Sequence, residues 1–470
     1  AVTGIANAWR AQTPMLLIGG QGPLIQNQMG SLQELDHVGI LSPITKFAGT
    51  VYHTGRMLDI LGMAFRQAYN GRPGPSFVEI PADVLFASVP ESSVVDPGQY
   101  RSKARTFGDV KLVEFAGRLL TEAQRPAILA GSQVWACRGT RALQIFAEKL
   151  KAPVYVNGAA RGSLPPGHEY LFVRSRREAL AKADVILVIG TPFDFRLGYG
   201  QRLARTAQVI QVDLEYAELG HNRSVDVGIA GDAAAVLSQL IEAVERVPDA
   251  VRQPWLDHLR EVERQAFEKD LPFLNSEASP IHPLRLAREI NDFLSEDTIF
   301  IADGGDVVTI SASTIQTRQP GQWLDPGPLG TLGVGMPFAL AAKVARPDQE
   351  AFILFGDGAF GLNGFEFDTA LRFKLPVVSV VGNNAAWNQI RYGQLARYGK
   401  ERGDLANLLA ATRYDQVVQA LGGHGEHVTE AKEIRPALER ARASGVASCV
   451  NVMIDPDVYS SSTMNQTMYK

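Results

Sequence analysis

The 470-residue chain sets 46 Lys and Arg against 50 Asp and Glu, a net charge of -4 with pI near 6.1, so it offers no basic footprint for nucleic acid. Its 46% hydrophobic content comes in short runs, none reaching the ~18 apolar residues that span a bilayer. With only Cys137 and Cys449 there is no disulfide framework, a reducing cytoplasm is the expectation, and the length allows roughly two to four domains.

AVTGIANAWR opens the chain inside an amphipathic helical pattern, with no initiator Met, signal-peptide pattern or cap, so the sequence is expected to begin within a domain. Up to about Leu85 helix and strand signals alternate: Met15 to Ile18 reads as a strand ending in Gly19-Gly20-Gln21, and Ser76 to Ile80 as a strand closed by Pro81. Ser88 to Thr106, rich in Pro, Ser, Gly and charge, reads as a linker.

Between Val110 and Val247 the strand signals are Pro126 to Leu129, Pro153 to Val156, Ala183 to Ile189 and Gln208 to Val212. Interleaved helical stretches such as Thr140 to Lys149 predict a parallel doubly wound sheet. Asp213 follows the last strand, where many dinucleotide folds place a ribose-contacting acid, and Gly131-Ser132 and Gly190-Thr191-Pro192 are strand-end turns able to face a phosphate. Arg174, Arg176 and Arg196 add phosphate donors; a bland turn and a solvated basic helix face are the alternatives there.

A charged helix, Pro254 to Lys269, and a Pro-containing linker, Leu271 to Pro283, lead to the last domain. There Thr298 to Ala302 is a strand delivering Asp303-Gly304-Gly305-Asp306, a turn able to reach a diphosphate. Ala351 to Phe355 is too short for a buried helix and ends in Gly356-Asp357-Gly358, so it reads as a buried parallel strand. Asn363 with Glu366 three residues on reads as a helix N-terminus, with Phe365, Ala370 and Phe373 on the buried side and Pro376 ending the helix. Val377 to Val381 then brings Gly382-Asn383-Asn384 to the same sheet edge, because a right-handed crossover sets the two strand ends side by side.

Asp357 and Asn384 can therefore share one ion. One carboxylate, one amide oxygen and backbone carbonyls are hard donors that suit magnesium, and the glycines beside Asp357 let a diphosphate approach the backbone. The alternative is an ordinary turn with a solvated Asp. The eight histidines carry no metal signature, His424 and His427 falling in a loop-like stretch, and neither a P-loop, a Ser-His-Asp pattern nor a solenoid repeat is present.

GDG, a helix and NN, with Asp357 and Asn384 27 positions apart, resembles the metal-diphosphate motif of thiamine-diphosphate enzymes. The resemblance implies that Asp357, Asn384 and the carbonyl of Ala386 hold Mg2+. It also implies that Gly305, Asp306, Gly330, Gly356, Gly358, Ala359, Asn384 and Ala386 line thiamine diphosphate. Pro328 to Gly333 is similar to the family's Gly-Thr-hydrophobic segment, whose bulky residue, here Leu332, sits under the cofactor and forces its rings together.

The first stretch resembles the later half of the pyrimidine-binding domain of the acetolactate synthase and acyl-CoA lyase branch, with Gln21 and Gln33-Glu34 at the site-lining positions. In that family the Glu that activates the cofactor lies upstream of the helix with which this sequence opens. The sequence does not contain it, and a truncated first domain is the expectation. Gly158 to Gly200 resembles 2-hydroxyacyl-CoA lyases and oxalyl-CoA decarboxylase, whose middle domain holds CoA and often ADP. This implies CoA or ADP contacts at Arg174, Ser175, Arg176, Arg196 and Asp213.

The implied architecture is α/β, with three doubly wound parallel-sheet domains. They are a pyrimidine-binding part over 1–90, a middle domain over 107–250 and a diphosphate-binding domain over 284–470, whose tail from Tyr459 reads as a disordered tail, with a lid over the site as the alternative. Because the family builds its site between domains of two chains, a homodimer or homotetramer is implied. After the Asn pair, Trp387-Asn388-Gln389 replaces both the Gly-Gly-Ile-Tyr type of oxalyl-CoA decarboxylases and the Leu-Gly-Met of acetolactate synthases, and is closer to bacterial 2-hydroxyacyl-CoA lyases. The expected reaction splits a 2-hydroxyacyl-CoA into formyl-CoA and an aldehyde or ketone, reversibly as a carboligation, with Gln21, Gln33, Leu332, Trp387 and Asn388 as catalytic candidates. A decarboxylase or acetolactate synthase-like carboligase, and a non-catalytic pseudoenzyme, stand as alternatives.

Overall fold

A computed structural model describes residues 1–95, 98 and 102–460. Three sheets, parallel at every pairing, are built from strands that alternate with helices, so the α/β expectation holds. The described chain divides into two compact units, one of residues 1–105 with 326–331 and one of 106–325 with 332–470.

The first unit holds a three-stranded sheet of β1 (Met15–Gln21), β2 (Phe47–Thr50) and β3 (Pro75–Pro81), in the order β1-β3-β2. β3 is buried at every position, as the central strand of a sheet covered on both faces must be. The short β2 lies beyond the expected strands, because FAGT has too little apolar sequence to signal one.

In the second unit, β4 (Pro126–Ala130), β5 (Val154–Val156), β6 (Val185–Ile189), β7 (Gln208–Asp213) and β8 (Val227–Ala230) form a sheet in the order β5-β4-β6-β7-β8. β9 (Ile299–Asp303), β10 (Trp323–Leu324), β11 (Ala351–Gly356), β12 (Val377–Asn383), β13 (His424–Val428) and β14 (Ser448–Met453) form the last, in the order β10-β9-β11-β12-β14-β13. The first order reverses direction between β4 and β6, and the second between β9 and β11 and again where β14 inserts between β12 and β13. Doubly wound folds open their ligand crevice beyond the carboxyl ends of the strands at such a reversal.

Four expectations need correcting. The helix after the GDG turn begins at Asp357 itself and runs to Asn363, with a second helix over Phe367–Arg372, so Asn363 and Glu366 form no capping box. Phe365 and Phe373 are exposed, and Phe360 and Phe367 take the buried side instead. His424 and His427 lie in β13, not in a loop. The charged helix extends over Asp249–Leu274 and accommodates Pro254 and Pro272. Part of the linker before Thr106 and the tail from residue 461, on which the disordered-tail and lid readings both fall, lie outside the described residues.

Candidate active site

β11 and β12 pair in register from Ala351 with Val377 to Gly356 with Gly382, which sets Asp357 beside the Asn383-Asn384 turn. Asp357 is 3% exposed. One carboxylate oxygen accepts the N–H of Gly358 at 2.8 Å and the other the N–H of Ala386 at 3.1 Å. Burial pushes its carboxyl up to about 6 against the pull of those N–H groups, a setting in which a cation is strongly favourable.

The two asparagines divide the work. Asn383 is fully buried: its amide donates to Thr412 O at 3.0 Å and Asn451 Oδ1 at 3.1 Å, and its oxygen accepts Ala385 N–H at 3.1 Å. That knot holds Ala385 at φ +53 and turns the chain back over Asp357. Asn384, by contrast, is half-buried. The bridge between Ala386 and Leu408 is made through Ala385 O and Trp387 N–H, which leaves the Ala386 carbonyl outside it. One buried carboxylate, one amide and one carbonyl form an all-oxygen donor set that fits a magnesium ion. Among the described residues no group of three His, Cys, Asp or Glu could hold a metal, so any ion here needs neutral oxygen ligands as well.

Asp303 ends β9 with both oxygens engaged, accepting Gly333 N–H at 3.0 Å and Gly335 N–H at 2.7 Å. It thereby pins the loop that carries Leu332, which packs half-buried against the cluster of Met336, Phe355 and Phe360. Gly330 takes φ +68, a left-handed turn natural to glycine. The turns after β9 and β11 touch, since a Cβ on Gly304 would lie 2.9 Å from Gly356 N. A Cβ on Gly305 would meet Gln389 Oε1 at 1.8 Å, and one on Gly358 the Trp387 ring at 2.5 Å, so Trp387 and Gln389 close over both glycine turns. Asp306 is buried and accepts Ser460 N–H at 2.9 Å, and Ala359 is buried just past Gly358. Asn388 is buried, its oxygen 3.4 Å from Arg391, which is itself ion-paired to Asp404 at 2.6 Å.

In the middle sheet the geometry separates the ligand candidates. Arg176 stands among Arg161, Arg196 and Arg202, and burial together with those like charges pushes its guanidinium down to about 10. No carboxylate pairs with Arg176 among the described residues, whereas Arg196 is held by Asp194 at 2.6 Å and Arg174 by Asp270 at 3.2 Å. Ser175 and Asp213, the other two candidates, are buried inside the protein rather than set on its surface. Ser175 is fully buried between Tyr155 OH and Glu263, each at 2.8 Å, and Asp213 is fully buried against Gln133 Nε2 and Glu215 N–H, each at 2.9 Å.

In the first unit, Gln33 is exposed with φ +62, and Glu34 folds its carboxylate back on the N–H groups of Gln28, Gly30 and Ser31. The amide of Gln21 accepts Gly22 N–H at 2.9 Å and donates to Leu35 O at 2.7 Å and Glu79 Oε1 at 3.2 Å. Glu79 and His37 escaped the sequence reading. The visible signal was a lone charge in the apolar run PSFVEIP, since a strand buried on both faces admits a carboxylate only with partners.

Residues 303–452 match the model of the thiamine pyrophosphate enzyme C-terminal TPP-binding domain, and residues 113–240 that of the thiamine pyrophosphate enzyme central domain. The chain is 39% identical over 460 residues to a probable acetolactate synthase of Mycobacterium bovis, covering 97% of this chain and 82% of that protein. It is 34% identical over 465 residues to 2-hydroxyacyl-CoA lyase 2 of Bos taurus, covering 90% and 72%. The Homo sapiens 2-hydroxyacyl-CoA lyase 2 is likewise 34% identical, over 468 residues and with the same coverage.

Proposed function

This chain belongs to the thiamine-diphosphate-dependent superfamily of acetolactate synthases and 2-hydroxyacyl-CoA lyases, and from that membership we propose that it cleaves a 2-hydroxyacyl-CoA to formyl-CoA and an aldehyde or ketone. Thiamine diphosphate, when bound, would supply a nucleophilic carbanion and an electron sink for carbon–carbon bond cleavage. Asp357, Asn384 and the Ala386 carbonyl would hold Mg2+, Leu332 would support the cofactor, and Trp387 with Gln389 would exclude water from the glycine turns.

The observation that carries the CoA ester is the cluster of Arg161, Arg176, Arg196 and Arg202. Three guanidiniums surround Arg176, which has no carboxylate partner among the described residues, and a CoA ester or an accompanying ADP brings phosphates suited to such bidentate forks. A homodimer or homotetramer is part of this reading, and light scattering on the purified protein checks it.

The 39% identity to the mycobacterial protein favours a second reading, acetolactate synthesis from pyruvate. One experiment separates the two. The full-length protein is mixed with Mg2+, thiamine diphosphate and 2-hydroxyisobutyryl-CoA, and the CoA esters are resolved by chromatography. Formyl-CoA with acetone is the expected result. An unchanged ester, with CO2 released when pyruvate is supplied, would move the protein to the carboligases.

A further inference from the structure

Asp415 lies in the first turn of the helix over Tyr414–Ala420 and is 1% exposed. Burial alone would raise its carboxyl, yet the bonds from Arg413 and Asn451 hold it below the usual carboxylate range. Arg413 pairs with it at 2.7 Å on one side, and His427 Nδ1 stands 4.0 Å away.

On the other side the bonds run in one direction. Asn451 is fully buried in β14, and its amide donates to Asp415 Oδ1 at 3.2 Å and to Thr412 O at 3.1 Å. Both partners only accept, so Nδ2 must face them and Oδ1 must face Asn383. Asn383 donates to that oxygen at 3.1 Å and to Thr412 O at 3.0 Å, which turns its own Oδ1 onto Ala385 N–H at 3.1 Å. A flip of either amide would set N–H against N–H in the interior and leave buried donors unmet.

The chain beyond the turn holds it from the far side. Leu409 N–H donates to Ala385 O at 2.7 Å, and Trp387 N–H to Asn407 O at 2.8 Å. Ala385 is thus fixed at both its N–H and its carbonyl, in a left-handed φ of +53 that is costly for a residue with a Cβ. Between these anchored peptides Ala386 N–H is turned onto Asp357 at 3.1 Å, and the Ala386 carbonyl takes no part in these bonds.

We propose that Asn451 and Asp415 are positioning residues of the ion turn. A buried carboxylate fixes the direction of two amides in series, and the second amide fixes the peptides that carry the carbonyl meant for the cation. The proposal rests on the ion-site reading above and gives a part in Mg2+ binding to two residues that would not touch the ion.

The test uses the full-length protein with saturating thiamine diphosphate, titrated calorimetrically with Mg2+. Asn451→Leu keeps the volume of the strand position but can neither accept from Asn383 nor donate to Asp415, so Mg2+ affinity should fall on the order of tenfold. Leu438→Ala is the control for stability alone. Leu438 is fully buried with Val450 and Val452, which alternate with Asn451 and so face the other side of the sheet. Its truncation should lower the melting temperature and leave Mg2+ affinity within about twofold. With Mn2+ as the probe, the electron paramagnetic resonance spectrum of the bound ion should differ from wild type in Asn451→Leu and coincide with it in Leu438→Ala. Should Asn451→Leu fail to fold, Asp415→Ala removes the acceptor that orients Asn451 and carries the same expectation. An unchanged Mg2+ affinity, an unchanged Mn2+ spectrum, or a loss of affinity that Leu438→Ala shares equally overturns the proposal. If Asp357→Asn keeps wild-type Mg2+ affinity, the ion-site reading has failed and the relay falls with it. If Asp357→Asn loses that affinity and Asn451→Leu does not, only the relay falls.

Discussion

The carboxylate of Asp357 accepts the backbone N–H of Ala386 at 3.1 Å, so the residue that would hold the ion also ties the end of β11 to the turn beyond β12. Asp357→Asn keeps an oxygen for Ala386 but removes the charge and the acceptor for Gly358 N–H. Thiamine-diphosphate affinity in Mg2+ should fall at least on the order of tenfold by calorimetric titration, with a stability cost of about 1 kcal/mol for the lost bond. Retained Mg2+-dependent affinity would refute the ion-site assignment.

Burial lifts the Asp303 carboxyl above the usual carboxylate range, outweighing its bonds from Gly333, Val334 and Gly335. An acid with a raised folded pKa binds more protons folded than unfolded. Its contribution to stability therefore falls as pH rises from the ordinary carboxylate range through the folded value. Asp303→Asn does not titrate, so melting curves across the mildly acidic range should show a smaller decline in the variant than in the wild type, Asp357 still titrating in both. The variant should carry a constant cost of about 1 kcal/mol for the N–H bond it can no longer accept.

Gly358 and Trp387 are in contact through the missing Cβ. Gly358→Ala should destabilise the protein by about 1–3 kcal/mol through overpacking, measured by urea denaturation. Adding Trp387→Ala should recover part of that loss, and strict additivity of the two changes would argue against the contact.

Arg176 should matter to the phosphate-bearing substrate and not to the ion. Arg176→Ala is expected to raise KM for the CoA ester roughly tenfold to a hundredfold, the worth of one charge-assisted contact, with thiamine-diphosphate affinity unchanged. Equal KM values in variant and wild type would remove the support for a CoA ester.

Arg252 is fully buried and donates to Leu120 O at 2.8 Å and Thr121 O at 3.2 Å, near the carboxyl end of the helix over Val110–Glu122. It also donates to Leu150 O at 3.4 Å, the last residue of the helix over Thr140–Leu150. One cation thus answers two helix ends. Arg252→Met should cost roughly 2–3 kcal/mol by chemical denaturation, since the carbonyls lose their donors while the apolar volume is kept.

The parts of the site that follow from local pattern were legible in the sequence. A short apolar run, a glycine turn and a second run predicted β11, β12 and the approach of Asp357 to the Asn pair. What depended on distant partners was not. The different duties of Asn383 and Asn384 are set by Asn451, 68 positions away, and Thr412, 29 away. The engagement of Gln21 depends on Glu79, 58 positions on. Arg161 and Arg202 approach Arg176 from separate turns, with no spacing to announce it. The capping-box reading of Asn363 failed for another reason: its side chain donates to Gly333 O at 2.5 Å, a tertiary bond that a local pattern cannot reveal.

The division between the two asparagines also bears on redesign. Asn383 is structural joinery, locked from three sides, so a library that varies it would return mostly misfolded clones whatever ion is supplied. Asn384 is the adjustable position, and metal preference at this turn should be retuned there alone.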